Sequence, residues 1–487
     1  MKKKSLSINA MLNSLQTLLN LIFPLITFPY VSRVLSVSGM GKYNFANSII
    51  SYFVLIAGLG ISRYAVREGA KIREDKLQFS KFASRIFSIN LCSTLISYLL
   101  LFITLFFVTS LRNCIEAILI FSIQIFFTTL GMDWLYIIYE EYAYITVRNI
   151  LFKVISILLL FTFVRQSDDY LKYAAITTFA SVGSYLLNFL HSRKICNIKL
   201  VWKFNWTPYI IPILTIFGTM VAVTIYVSSD ITMLGFLKNN YIVGIYSISA
   251  KIYGMVGPML SATMAVTIPR LAMLMGQGKL SNYKQLFKKL LQTMILIVLP
   301  AVVGLMMTSK SIVLIIAGGE YLRSATPLSI LSIALFFGTL NTIFVECVLI
   351  PAKRERATLI TAVIAAITNL LLNFVLIPHY SEVGTAMTTV IAECLSMLMN
   401  FYFSRDIIGE IFLAKGFWKE NLNIVIGTIA IWLVCILIKS LIYSNIIQLI
   451  ISIICSCVIY ILILYVLRNK LVVGTVNNIY DHIKYYR

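Results

Sequence analysis

Charge is scarce in this chain, and negative charge is scarcest. Only 12% of the 487 residues are Asp, Glu, Lys or Arg, with 19 acids against 41 bases; a soluble domain averages about 25% charged residues. A water-soluble core under a solvated shell is therefore excluded. Histidine is nearly missing: His191, His379 and His482 are scattered, and they suggest no metal site. The eight cysteines lie mostly inside apolar stretches without metal-ligand spacing, so they read as small packing side chains. No phosphate-cradling glycine loop or nucleophile triad appears, and no external connection is long enough for a catalytic domain acting on sugars. The neighbouring acids of SDDY (Ser167–Tyr170) read as solvated surface. An enzyme is not expected. The basic start, MKKKSLSINAMLNSLQ, leads into no compact apolar run ending in a small-residue cleavage site, and reads as an uncleaved cytoplasmic N-terminus.

What the chain has instead is apolar length. Hydrophobic residues make up 59% of it, and the mean hydropathy is +0.89. This predicts an all-α polytopic membrane protein. At about 20 apolar residues per crossing, the sequence accommodates about 14 transmembrane helices. The net charge of +22 implies no nucleic acid, because the basic residues fall between the apolar segments. With the N-terminus in the cytoplasm, cytoplasmic segments collect roughly 31 Lys/Arg and external ones roughly 9. Lys251 alone stays within the bilayer, and the even count places both termini inside.

A weak internal repeat divides the spans. GKYNFANSI (Gly41–Ile49) resembles GIYSISAKI (Gly244–Ile252), and ITTFASVGSYLLNF (Ile176–Phe189) resembles MTTVIAECLSMLMNF (Met387–Phe401). Both offsets are about 200 residues, or six helices, which preserves direction and predicts two parallel six-helix lobes. The expected divisions are a first lobe at 1–190, a cytoplasmic linker at 191–207, and a second lobe at 208–404. Residues 405–487 form a loop, two peripheral helices and a tail. Basic and aromatic residues alternate in the linker HSRKICNIKLVWKFNW, as suits headgroup depth.

Within the lobes the few charges stand out. Lys251, in YSISAKIYGMVG, is the deepest cation, at a depth where insertion costs on the order of 2.5 to 3.5 kcal/mol. Arg33 (FPYVSRVL) lies toward the outer end of the first span. Glu393 (TTVIAECLS) lies near the middle of the twelfth, and Asp230 (VSSDITMLG) in the outer part of the seventh. Asp133 (GMDWLY) and Glu346 (FVECVLIPAKRER) lie toward the cytoplasmic ends of the fourth and tenth. Two readings follow. Lys251 and Glu393 form a salt bridge of little net stability, or Lys251 and Arg33 face a cavity and hold an anion while a carboxylate exchanges a proton or sodium ion. Arg33 by itself could snorkel to water. Asn44, Asn47, Ser48 and Ser51 add polar groups to the second span, and Asn369 and Asn373 share one helix face. Such groups link helices or, in a wet cavity, meet sugar hydroxyls. Pro24 and Pro29 make the first span a candidate for bending.

Five stretches together resemble the Wzx-type O-antigen and polysaccharide flippases of the multidrug/oligosaccharidyl-lipid/polysaccharide exporter superfamily. They are FPLITFPYVSRVLSVSGMGKYNFANSI, GISRYAVREGAKIRED, DWLYIIYEEYAYITVRN, SSDITMLGFLKNNYIVGIYSISAKI and ITNLLLNFVLIPHYSEVGTA, in this order over nearly the whole chain. The resemblance implies a MATE-like pair of lobes in the bacterial cytoplasmic (inner) membrane, alternating access without ATP hydrolysis or a cofactor, and coupling to a proton or sodium gradient. The implied cargo is an undecaprenyl-diphosphate-linked oligosaccharide, an O-antigen or capsule repeat unit, and the polysaccharide polymerase machinery is an implied partner beside the membrane lipids. In this family a cationic cavity receives diphosphate and sugar. The basic positions in the matching motifs are Arg33, Lys251, Arg63 and Arg67; Asn47 lies in the first motif. Asp133 and Asp230 fall in its acidic patterns, and Asp133, Asp230, Glu346 and Glu393 are the coupling or gating candidates. The sequence departs from the family pattern at Ser36, Ala65 and Ile137–Ile138.

The nearest rival is a multidrug exporter of the same superfamily. Exporters of organic cations call for carboxylates deep in the first lobe, and the first three spans have none at depth. Lys251 and Arg33 would repel a cation.

Overall fold

The computed structural model describes residue 11, residues 22–413 and residues 416–474. The secondary structure of the described residues is helical: α1 (Ile22–Val34), α2 (Val37–Gly58), α3 (Ile61–Gly69), α4 (Lys76–Phe107), α5 (Ile115–Gly131), α6 (Asp133–Ile138), α7 (Tyr142–Phe163), α8 (Tyr170–Val182), α9 (Tyr185–Ser192), α10 (Thr207–Leu237), α11 (Asn240–Ala262), α12 (Thr267–Gly276), α13 (Leu280–Ile316), α14 (Ala325–Phe344), α15 (Glu355–Leu413), α16 (Phe417–Leu441) and α17 (Asn445–Val466). Among the described residues, eleven helices are long and apolar enough to cross a membrane, or twelve if α11 and α12, bent by 53°, count as one span.

The sequence predicts fourteen, a count the described residues do not reach, and two places bear on the difference. Much of the first expected span, and the N-terminal and C-terminal segments expected in the cytoplasm, lie outside the described residues. The second place is α15, whose 59 residues double back at Ser381, where φ is 52° and ψ −128°. Thr388 Oγ1 donates to Asn373 Oδ1 at 2.6 Å across this turn; along a continuous helix they would stand roughly 22 Å apart. Each arm, 355–380 and 382–413, exceeds the length of one crossing.

By contacts the chain forms two compact units, Met1–Ser247 and Ile248–Arg487. The first includes α10, whose Thr232 Oγ1 donates to Ser48 Oγ of α2 at 3.1 Å. Its linker lies extended along α4. Asn197, Lys199 and Val201 donate their N–H groups to Ser80, Ser84 and Ser88 at 3.4, 3.0 and 2.9 Å. Four residues of helix rise about 6 Å and two residues of extended chain about 6.6 Å, so a serine on every fourth position matches every second linker amide. In the second unit α17 packs on α13, where Tyr460 Oη donates to Leu296 O at 2.8 Å.

The first repeat pair meets within the first unit. A Cβ on Gly41 of α2 would stand 1.7 Å from Asn240 O, and one on Gly244 of α11 would stand 2.1 Å from Val37 O. Each glycine faces the residue four before the other, so the crossing is self-complementary and tolerates no side chain on either helix.

Candidate functional site

In the first unit, a cavity of about 480 Å³ is built around two broken helices. The first break separates α2 from α3 at Leu59 (φ 46°) and Gly60 (φ 73°). Glycine is required there by its positive φ and because a Cβ would stand 2.8 Å from the Ile216 side chain. Asn90 of α4 clamps the end of α2, donating Nδ2 to Ala57 O at 2.7 Å. The second break separates α5 from α6 at Met132 (φ 41°). Residues at both breaks line the cavity, Gly60–Arg63 on one side and Met132–Trp134 on the other.

The chemistry of the lining is graded. Toward the middle of α2 it offers Asn47 and Ser51, and further along Asn90, Gln124 and Thr128; amides and hydroxyls of this kind suit a sugar. From Asn47 to Gly60 the α2 wall runs roughly 20 Å. At its far end stand the exposed Arg63 and the α3 N-terminus, which no side chain caps. A helix N-terminus carries roughly half a positive charge, so this end favours an anion.

Asp133 opens the opposite wall, but its charge is engaged. Its Oδ1 accepts from Arg148 Nη2 at 3.3 Å and from Asn188 Nδ2 at 2.9 Å. The Arg148 side chain is only 3% exposed and lies 5.8 and 5.7 Å from the Tyr144 and Tyr185 rings. The pair is close to neutral, which leaves Arg63 as the uncompensated charge on the lining.

The sequence-predicted residues divide accordingly. Asn47, Arg63 and Asp133 share this cavity. Arg67 does not line it: one turn beyond Arg63, it pairs with Glu68 at 2.9 Å and packs over the Tyr64 ring. Arg33 is exposed near the end of α1 and also lies off this lining. Asp230 is buried and accepts from Tyr246 Oη at 2.7 Å. In the second unit, Lys251 lies on an exposed face of α11 with Gly254 and Pro258. Among the described residues it makes no ion pair, so the Lys251–Glu393 salt bridge is not formed. The half-buried Glu393 instead lies against α14, where a Cβ on Gly338 would stand 3.2 Å from its Oε2. Glu346 occupies a π-helical turn, Val345–Leu349, a rare geometry found often at functional sites.

The sequence reading missed Arg148, Asn188, Asn90 and Gln124. Arg148 is a buried cation within α7, a helix long and apolar enough to cross a membrane. A signal was present, because Arg148 and Lys153 fall inside the apolar run that follows Tyr142. For the amides the sequence carries no signal, since their convergence joins α4, α5 and α9.

Comparisons with known proteins agree with this architecture. The family described as "Polysaccharide biosynthesis protein" matches residues 6–275, and the family "Lipid II flippase MurJ" matches residues 213–457. A putative O-antigen transporter of Shigella dysenteriae is 22% identical over 72% of this chain and 88% of its own length. One of Escherichia coli (strain K12) is 23% identical over 72% and 85%. Among solved structures, lipid II flippase MurJ in an inward closed conformation superposes with a TM-score of 0.76 at 17% identity, covering 95% of this chain and all of that one. That likeness extends the shared fold along nearly the whole chain.

Proposed function

The chain belongs to the polysaccharide biosynthesis protein family, and from that premise we propose that it is a Wzx-type flippase. It carries an undecaprenyl-diphosphate-linked oligosaccharide, such as an O-antigen or capsule repeat unit, from the inner to the outer leaflet of the bacterial cytoplasmic membrane. The observation that carries this reading is the graded cavity of the first unit. Amides and hydroxyls offer hydrogen bonds to a glycan, while Arg63 and the α3 N-terminus offer one end to a phosphate. An organic cation would meet no uncompensated carboxylate there, because Asp133 is held by Arg148. This argues against multidrug export.

The transporter needs no chemical step of its own. Substrate would be taken up with one end of the cavity open and released by alternating access, driven by a proton or sodium gradient, with Glu393, Asp230, Asp133 and Glu346 as candidate coupling groups. Lys251, on its uncovered α11 face, is a second candidate phosphate contact, and Arg33 a third. Both termini would lie in the cytoplasm, and the polysaccharide polymerase machinery would receive the product. The test follows lipid-linked oligosaccharide across proteoliposomes, with and without an imposed proton or sodium gradient. Gradient-dependent transfer to the far leaflet is expected, and no transfer above protein-free vesicles would overturn the reading.

A further inference from the structure

The second unit contains another cavity, of about 620 Å³, whose lining is more basic than that of the first unit's graded site. Arg270 of α12, Lys288 and Lys289 of α13 and Lys470, just past α17, converge on it with one acid, Glu420 of α16. The acid is already engaged: Gln292, itself 5% exposed, donates Nε2 to Glu420 Oε2 at 2.8 Å, and Lys470 Nζ lies 3.6 Å from Oε1. Among the described residues, the side chains of Arg270, Lys288 and Lys289 make no ion pair or hydrogen bond. Three uncompensated cations therefore share one concavity.

Its position in the fold narrows the ligand. The start of α16, the residues just past α17 and the opening turns of α13 all contribute, so the cavity opens at helix ends, where spanning helices meet headgroups. Leu274, Leu286 and Leu471 border the cations and would accept the first carbons beyond a headgroup. Basic pockets between helix ends are the sites at which proteins hold anionic lipid headgroups.

The first unit supplies a contrast. Its corresponding cavity, about 490 Å³, is lined by Arg85, Lys71, Lys203 and Glu68. There Arg85 donates to Tyr209 Oη at 2.8 Å and lies over the Phe204 ring, and Lys71 pairs with Glu68 at 2.7 Å. Two of those cations are satisfied from within.

We propose that the basic cavity of the second unit is a receptor for the phosphate headgroup of an anionic membrane lipid. The site is separate from the graded cavity and does not rest on the flippase reading, because lipid occupancy is measured without transport. The full chain in neutral detergent is titrated with phosphatidylglycerol, with phosphatidylcholine, and with inorganic phosphate, and bound lipid is counted by native mass spectrometry. Phosphatidylglycerol is expected to bind at least tenfold more tightly than phosphatidylcholine and to resist displacement by inorganic phosphate. Lys288→Gln/Lys289→Gln, and separately Arg270→Gln, should weaken phosphatidylglycerol at least fivefold without lowering the melting temperature of lipid-free protein. Lys310→Gln/Lys439→Gln removes equal charge at exposed positions off this lining and should change binding less than twofold. Equal losses in the two double variants, no preference for phosphatidylglycerol, or ready displacement by free phosphate would each overturn the proposal.

Discussion

Asp133 lies beside the break between α5 and α6, and Arg148 and Asn188 close on it. The second unit treats the corresponding place differently. Counting from the left-handed residue before each following helix, Glu140 (φ 57°) and Lys353 (φ 58°), Glu346 corresponds to Asp133 and Thr361 to Arg148. The second unit thus has the acid without the arginine, and a π-helical turn instead of a break. The asparagine persists: Asn188 reaches Gly131 O at 2.7 Å, and Asn400, its repeat partner, reaches Asn341 Oδ1 at 2.7 Å. By the same count Asp169 corresponds to Glu382, each a buried acid at the turn before a descending helix. Asp169 pairs with Lys172 and Glu382 with Arg323. The two units keep an asparagine that donates to a neighbouring helix, one to a backbone carbonyl and one to a side chain, and differ in how their acids are paired.

The largest effect is expected where the repeat is strictest. Gly41→Val and Gly244→Val each drive a side chain into a backbone carbonyl and should cost about 3 kcal/mol or more. Both should abolish monodisperse protein in detergent; if one were tolerated, the crossing would not be self-complementary. Next, Asp133→Asn leaves Arg148 buried without its carboxylate, at a cost of about 3 kcal/mol, whereas Glu346→Gln should cost under about 1 kcal/mol. Thermal unfolding of the two variants would erase the contrast between the units if their losses were equal. Glu382→Gln weakens the pairing with Arg323 and should cost about 2 kcal/mol.

Function should discriminate between neighbours in the first unit. Arg63→Ala is expected to lower oligosaccharide transfer in proteoliposomes at least tenfold, a loss of about 1.4 kcal/mol, while Arg67→Ala, paired on the surface, should change it less than twofold. Equal losses would remove the cavity from the mechanism. The smallest effect is a pH dependence at the turn before α8. The Lys172 ammonium, with the Arg165 and Gln166 N–H groups, holds the Asp169 carboxyl down at about 2, against about 3.9 in an unfolded chain. A depressed acid stabilises the fold above its unfolded pKa and loses that contribution as pH falls from about 4 to about 2. Asp169→Asn should flatten the melting temperature over that window.

Much of this was legible residue by residue. Apolar length announced the helices because each must bury its own backbone polar groups in hydrocarbon. The repeat was visible at Gly41 and Gly244, where contact between backbones forbids side chains. Asn47, Arg63 and Asp133 were named from motifs and lie on one cavity. Arg67 was named with them and lies off it, because a 3.6-residue turn sends residues four apart along a helix face while the cavity ends at the first turn of α3. The Lys251–Glu393 salt bridge, one of the two readings of these charges, does not form, for a related reason: similar depth in a membrane says nothing about azimuth around a helix axis.

The sequence alone determined that the chain crosses a membrane many times and which few charges needed explanation. Those properties follow from local transfer energies, additive along the chain. Tertiary structure alone decided that Asp133 is neutralised by Arg148, that Arg63 is left uncompensated, and that three cations share a cavity at the ends of α12 and α13. Electrostatic pairing depends on distances of 3 to 4 Å between residues from different helices, and only the packing of those helices fixes such distances.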